Sequence, residues 1–182
     1  MVIDFRIKKD PIEPVIIKNK EIEQVDSYKY LGITIDNKLN WELQATSVFK
    51  KVNKRMFFLR KLSGFKVDST LLSLFYNSVI QSIISFCVIG WGGNVTGVQK
   101  KKIDRLIRRA GKTSKCIFID FDELYTSLCF KKINNIENSD HPLAHKIKRS
   151  VRSNRPLFLP TNKQRYRNSF LAYSITLLQF TR

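Results

Sequence analysis

The chain has 182 residues, with 33 Lys and Arg against 15 Asp and Glu, and a formal net charge of +18. That length suits one ordinary domain with at most an appendage, and 43% hydrophobic with 12% aromatic residues excludes wholesale disorder. Three cysteines, Cys87, Cys116 and Cys129, in odd number and without close spacing, exclude a secreted disulfide framework.

The charge is unevenly spread. Residues 1–36 hold six basic and seven acidic side chains, and the other 27 basic and eight acidic residues lie downstream. So one-sided a charge repels itself unless a polyanion is near, which makes nucleic acid or an anionic surface the expected partner. The plainer alternative is a soluble domain that is merely basic.

Residues 2–6 read as a short strand. Asp4, Arg6, Lys8 and Lys9 interrupt any apolar leader, so no signal peptide is expected and an intracellular location, nuclear or cytoplasmic rather than secreted, follows. Residues 15–25 have the shape of a hairpin with a polar tip at Lys18-Asn19-Lys20-Glu21, set apart by Pro11 and Pro14. Tyr28 to Ile35, bounded by Asp26 and Asp36-Asn37, reads as a buried strand that completes a small antiparallel sheet.

From Trp41 the period changes. Trp41, Ala45, Val48, Val52, Met56 and Leu59 fall on one helical stripe, with Lys50, Lys54 and Lys61 opposite and Phe57 and Phe58 among them. Gly64 suits the left-handed position just past the helix end. Asp68 or Ser69 caps a second helix, Leu71 to about Phe86, with apolar residues all round and therefore central. A charge at Val79 or Ile83 is expected to unfold the domain. The apolar run Leu71–Trp91 has membrane-spanning length, but Asn77, Ser78, Gln81, Ser82 and Ser85 favour a buried helix, and no membrane partner is expected.

Gly90, Gly92, Gly93 and Asn94 form a turn that fits neither nucleotide-binding fingerprint, with Trp91 as an anchor between helices. Thr96 and Gln99 make a capping box for a third helix with Ile103, Leu106, Ile107 and Ala110 inward. Eight basic residues against one acid lie between Lys100 and Lys115. A solvated face mixes signs, and this one does not. A fourth helix starts near Asp120 and runs through Leu124, Leu128, Ile133 and Ile136. Lys146 to Arg167 holds eight Lys and Arg and no acid and reads as a loose basic segment, followed by a short helix from Ser169 to Phe180. The fold class is therefore mainly α, with a small N-terminal antiparallel sheet (1–36), a basic helical bundle (37–137) and an irregular basic extension with a terminal helix (138–182).

Two-metal phosphoryl transfer needs paired carboxylates, and the chain contains no adjacent Asp pair. Asp122 and Glu123, beside Asp120, read as first-turn acids suited to the helix dipole. Cys116, Cys129, His141 and His145 invite a zinc reading, but Pro142 follows His141 and the cysteine spacing is not a knuckle. No metal, cofactor, small-molecule substrate or catalytic residue is expected. Binding remains. Lys50, Lys51, Lys54 and Arg55 on the first helix and Lys101, Lys102, Arg105, Arg108 and Arg109 on the third are expected to straddle a duplex backbone, contacts that carry no sequence code. Phe57 and Phe58 read as a second packing face in preference to a base-stacking pair.

Tyr28-Lys29-Tyr30-Leu31-Gly32-Ile33-Thr34-Ile35-Asp36-Asn37-Lys38-Leu39-Asn40-Trp41 resembles the motif that follows the catalytic core in reverse transcriptases of LINE-type (non-LTR) retrotransposons. There it is the primer grip leading into the thumb. The likeness continues at Lys50-Lys51, Phe57-Phe58-Leu59-Arg60, Phe75-Tyr76, Gly90-Trp91-Gly92-Gly93-Asn94, His141-Pro142-Leu143 and Arg165-Tyr166-Arg167-Asn168-Ser169-Phe170, and Met1-Val2-Ile3-Asp4-Phe5-Arg6 resembles the last palm strand. The resemblance implies a palm remnant, a primer-grip strand, a thumb and a basic tail. It implies a non-catalytic fragment of an RNA-directed DNA polymerase that grips an RNA/DNA hybrid or DNA duplex non-specifically, with Lys29, Tyr30 and Gly32 supporting the primer end. The competing function is a helical protein-interaction module using Phe57, Phe58 and the C-terminal aromatics. Lys29-Tyr30-Leu31-Gly32 to Trp41 also resembles a short family labelled as the N-terminus of an AlkB-type dioxygenase/methyltransferase. The iron triad and Gly-rich loop of that chemistry are absent from this sequence.

Overall fold

Ala45, Val48, Val52, Met56 and Leu59 are buried along one stripe of the longest helix, α1 (Glu42–Gly64), as their spacing requires. The computed structural model describes residues 1–3, 5, 13–160 and 162–180. Ahead of α1 stand two hairpins, β1 (Ile16–Ile17) with β2 (Lys20–Glu21) and β3 (Ser27–Tyr30) with β4 (Ile33–Asp36). After it come α2 (Ser69–Phe75), a π-helical turn (Tyr76–Gln81), α3 (Ser82–Ser85), α4 (Val88–Trp91), α5 (Gly97–Ser114), α6 (Phe121–Glu137), α7 (Gln164–Arg167) and α8 (Phe170–Phe180).

The N-terminal region differs from expectation in detail. Tyr28–Ile35 is not one strand: Leu31 (φ 46°) and Gly32 (φ 87°) turn it back so that Tyr28 pairs with Ile35. Such tight hairpins need positive φ at both central residues, and glycine supplies one. Lys18 (φ 50°) and Asn19 (φ 59°) do the same between β1 and β2, so the return strand is Lys20–Glu21, with one further backbone bond from Ile22 N to Val15 O. The hairpins form two separate two-stranded sheets instead of one. Residues 1–3 and 5 form no strand, and the rest of the expected first strand (4 and 6) lies outside the described residues, as does Pro11.

The helix ends obey local chemistry. Asp68 accepts from Thr70 N at 2.8 Å, and the Thr70 side chain first, with that backbone bond second, holds its carboxyl below the usual range. Thr96 and Gln99 form the capping box of α5, and Asp120 accepts from Glu123 N to start α6. Gly64 is the last helical residue of α1, not the left-handed one; that conformation falls on Lys66 (φ 58°). Asp104 Oδ1 accepts from Phe121 N at 2.9 Å and ties α5 to the head of α6.

The core gathers every major helix. Trp91 is fully buried against Phe121 at 5.8 Å and donates from Nε1 to Phe86 O, the expected anchor. No single helix among the described residues is long and apolar enough to cross a membrane. The bent pair Ser69–Ser85 and Val88–Asn94 has the apolar length, but Tyr76, Ile80, Ile84, Val88 and Trp91 bury one side of it in the core. Helix α8 packs on α6 through Tyr173, whose hydroxyl lies 2.8 Å from Thr126 Oγ1. The basic segment before it is irregular, though Arg149 Nε donates to Glu137 Oε1 at 2.6 Å and pins it back.

Gly93 is the tightest point. A Cβ there would lie 2.1 Å from Asn168 O and 2.6 Å from the Tyr125 hydroxyl. The obstacle is backbone, so Gly93→Ala is expected to cost about 3 kcal/mol and to lower the melting temperature by about 6–12 °C. Gly97→Ala, where nothing lies within 4 Å, is the control that should leave it unchanged in the same thermal scan.

Candidate nucleic-acid interface

Helices α1 and α5 lie side by side and run in the same direction. Glu42, Thr46 and Phe49 face Thr96, Gln99 and Lys102 across a cavity of about 390 Å³ at one end of the seam. At the other end Ser63 Oγ donates to Thr113 O at 3.1 Å. With both buried stripes in one core and about 100° per residue, each cation can be assigned to a flank.

Lys50 on α1 and Lys102, Arg105 and Arg109 on α5 border the seam. Lys54, Lys101 and Arg108 crown the two outward ridges. All seven are exposed. Lys51 and Arg55 fall on the far flank of α1, where Arg55 joins Phe58, Leu62, Phe65, Phe75, Val79 and Ile83 around an apolar groove of about 780 Å³. The structure therefore sets four of the nine helical cations singled out from the sequence beside the seam and three on the adjoining ridges, and turns two away. Arg60 and Lys112 were not singled out, yet both are exposed and their helical phase sets them beside the seam. Arg60 stands two i+7 steps after Thr46, which faces α5, so the seam-side period was present in the sequence.

The hairpin residues lie elsewhere. Thr34 N donates to Gln44 Oε1 at 2.9 Å, and Gln44 is on the flank of α1 away from α5. Lys29 and Tyr30 are exposed there, and Gly32 presents its backbone to the Phe86 ring, 3.4 Å from where a Cβ would stand. Gly32 does allow close approach, but to a side chain of the same domain.

The electrostatics of the seam are unbalanced. Among the described residues the ion pairs are Lys100–Asp122 at 2.6 Å and Arg149–Glu137. None of the seven grouped cations has a carboxylate partner among them. Phe57 and Phe58 stand exposed, edge to face at 5.6 Å, with Lys61 over Phe57 and Arg55 over Phe58. Phe57 stands one i+7 step beyond Lys50, on the seam side of α1, and Phe58 lines the apolar groove, so they are not one packing face. Of the C-terminal aromatics, Phe170 and Tyr173 pack against the core and Phe180 is exposed.

The residues of the zinc reading are engaged otherwise. His141 Nδ1 accepts from Leu143 N and His145 Nδ1 sits 2.6 Å from Pro142 O, both closing local turns. Burial pushes the Cys129 thiol up. Among the described residues no three His, Cys, Asp or Glu side chains gather to hold a metal.

A family model matches residues 41–82. Its description is "Alkylated DNA repair protein alkB homolog 8, N-terminal", and the matched stretch is α1, α2 and the chain up to Ser82. The likeness read at Lys29 to Trp41 thus meets it at Trp41, and most of it lies in the helices that follow. No curated protein and no solved structure matches the chain.

Proposed function

We propose that this chain is a non-catalytic nucleic-acid-binding module, the thumb-like part of a LINE-type reverse transcriptase, that grips the backbone of an RNA/DNA hybrid or DNA duplex. The observation that carries the reading is the row of exposed cations, without carboxylate partners among the described residues, along the α1–α5 seam and its adjoining ridges. Point charges on flexible stems recognise phosphate but not base identity, so the grip tolerates any sequence. The family matched by residues 41–82 bears a name that speaks of alkylated DNA, a partner of the same class.

Titrating the protein against a primed RNA/DNA hybrid and a DNA duplex at several salt concentrations tests this. Six phosphate contacts give a slope of log affinity against log salt of about −5, or about a thousandfold loss between 50 and 200 mM. A flat response overturns the reading.

A flat response would instead favour a second reading. The groove at Phe58, Leu62, Phe65, Phe75, Val79 and Ile83 is open, with Phe65 78% exposed. It has the chemistry to take the apolar face of a partner's amphipathic helix, with Arg55 and Lys61 at the rim selecting acidic flanks. That affinity would rest on apolar burial and persist in high salt.

A further inference from the structure

A second cavity, of about 610 Å³, lies between the β4–α1 loop and the C-terminal helices. Its walls carry the rings of Trp41, Tyr166, Phe170 and Phe5 and the cations Lys163 and Arg165. The volume is that of a small-ligand site, about 300–1,000 Å³.

One wall is held in a costly shape. Leu39 (φ 49°) and Trp41 (φ 63°), both lining the cavity, adopt the left-handed conformation that bulky residues avoid. They are kept there by the buried Asp36 carboxylate, which accepts from Lys38 N, Asn40 N and Trp41 N at 2.9, 3.3 and 3.2 Å. Strain of this kind persists where the surroundings over-determine it, and it gathers at ligand clamps. The result is a half-exposed indole with Tyr166 (46% exposed) and Phe170 on the same cavity.

We propose that this pocket receives one unpaired nucleotide at the end of a bound strand, its base stacked among Trp41, Tyr166 and Phe170 and its phosphate on Lys163 and Arg165. Every base has a π-face, so stacking of this kind is sequence-tolerant, and the two cations answer the phosphate. Arg165 already lies 4.9 Å over the Phe5 ring, as a guanidinium that stacks on flat partners does. The proposal rests on nucleic acid being the partner, but it concerns a site apart from the α1–α5 seam.

The test compares the full chain on a blunt DNA duplex and on the same duplex with a single unpaired deoxyadenosine, while following tryptophan fluorescence. The chain has two tryptophans, and Trp91 is fully buried, so quenching reports Trp41. Expected are affinity about tenfold higher for the overhang, quenching by the overhang alone, and loss of that preference in Tyr166→Ala. Equal affinities without quenching overturn the pocket and leave the duplex grip standing. Failure to bind either duplex overturns the grip, and a single-stranded oligodeoxyadenylate then decides the pocket by quenching Trp41 or not. Deoxyadenosine monophosphate that quenches Trp41 as well as the overhang does would overturn the strand-end assignment in favour of a free-nucleotide site.

Discussion

Replacing Lys102, Arg105 and Arg109 together by Glu is expected to lower affinity for duplex about a thousandfold near 50 mM salt and to reduce the salt slope by about three. Three of the phosphate contacts vanish, and three carboxylates now repel the same backbone. The variant should fold normally. All three residues are exposed and none is in an ion pair with a described residue. The replacements turn repulsion with Lys101, Arg108 and Lys112 into attraction while keeping like charges between positions 102 and 105 and between 105 and 109, effects of a few tenths of a kcal/mol each that largely offset. A chain that carries such repulsion along one helix gains from it only when an anion covers the face. Lys51→Glu, on the far flank of α1, gives the contrast: a few-fold loss at low salt with the slope nearly unchanged. Fluorescence anisotropy with a labelled duplex measures both, and wild-type affinity in the triple variant would remove the seam from the binding surface.

What the sequence made legible was local. Asp68, the Thr96–Gln99 box and Asp120 announce helix starts because a cap needs only its own side chain and the next turn. The stripes of α1 and α5 are legible because a helix with one buried face repeats its apolar residues at a fixed step. The turn at Leu31-Gly32 was hidden, since β-rich residues on both sides read as one strand and leucine is a poor signal for positive φ. The far-side position of Lys51 and Arg55 was hidden for another reason. Periodicity tells inward from outward, but which flank meets α5 depends on the packing of distant chain. The second cavity was equally out of reach, because its rings come from positions 5, 41, 166 and 170 and the carboxylate that shapes it serves backbone groups.

Ile84→Lys is expected to unfold the domain, and Ile83→Lys, one residue away, is not. The sequence points to Val79 and Ile83 as sensitive, because the helix is apolar all round. The structure moves that sensitivity to Ile80 and Ile84: both are wholly buried, while Val79 and Ile83 are half-buried on the apolar groove. The cause is the π-helical turn. Leu72, Tyr76, Ile80 and Ile84 are all buried at four-residue steps. In an unbroken α-helix that step gains about 40° each time and would carry the row round the helix. The wider i→i+5 turn advances less per residue and holds the row nearer the core, where Tyr76 stacks on Phe118 with centroids 3.6 Å apart. Ser78 Oγ donates to Leu74 O at 2.8 Å and Ser82 Oγ to Ser78 O at 2.7 Å, giving side-chain donors to carbonyls along the distorted stretch. An ammonium at position 84 loses about 1.5–3 kcal/mol of apolar burial and adds several kcal/mol for a buried unpaired charge. Together these rival the whole stability of an ordinary domain, about 5–15 kcal/mol. At position 83 the lysine stem lies along the groove and its head reaches water, at a cost of about 1 kcal/mol. Urea melts followed by circular dichroism separate the two: no cooperative transition for Ile84→Lys, and a slightly earlier midpoint with an unchanged slope for Ile83→Lys. The opposite order would mean that the helix runs through 76–81 without the π turn.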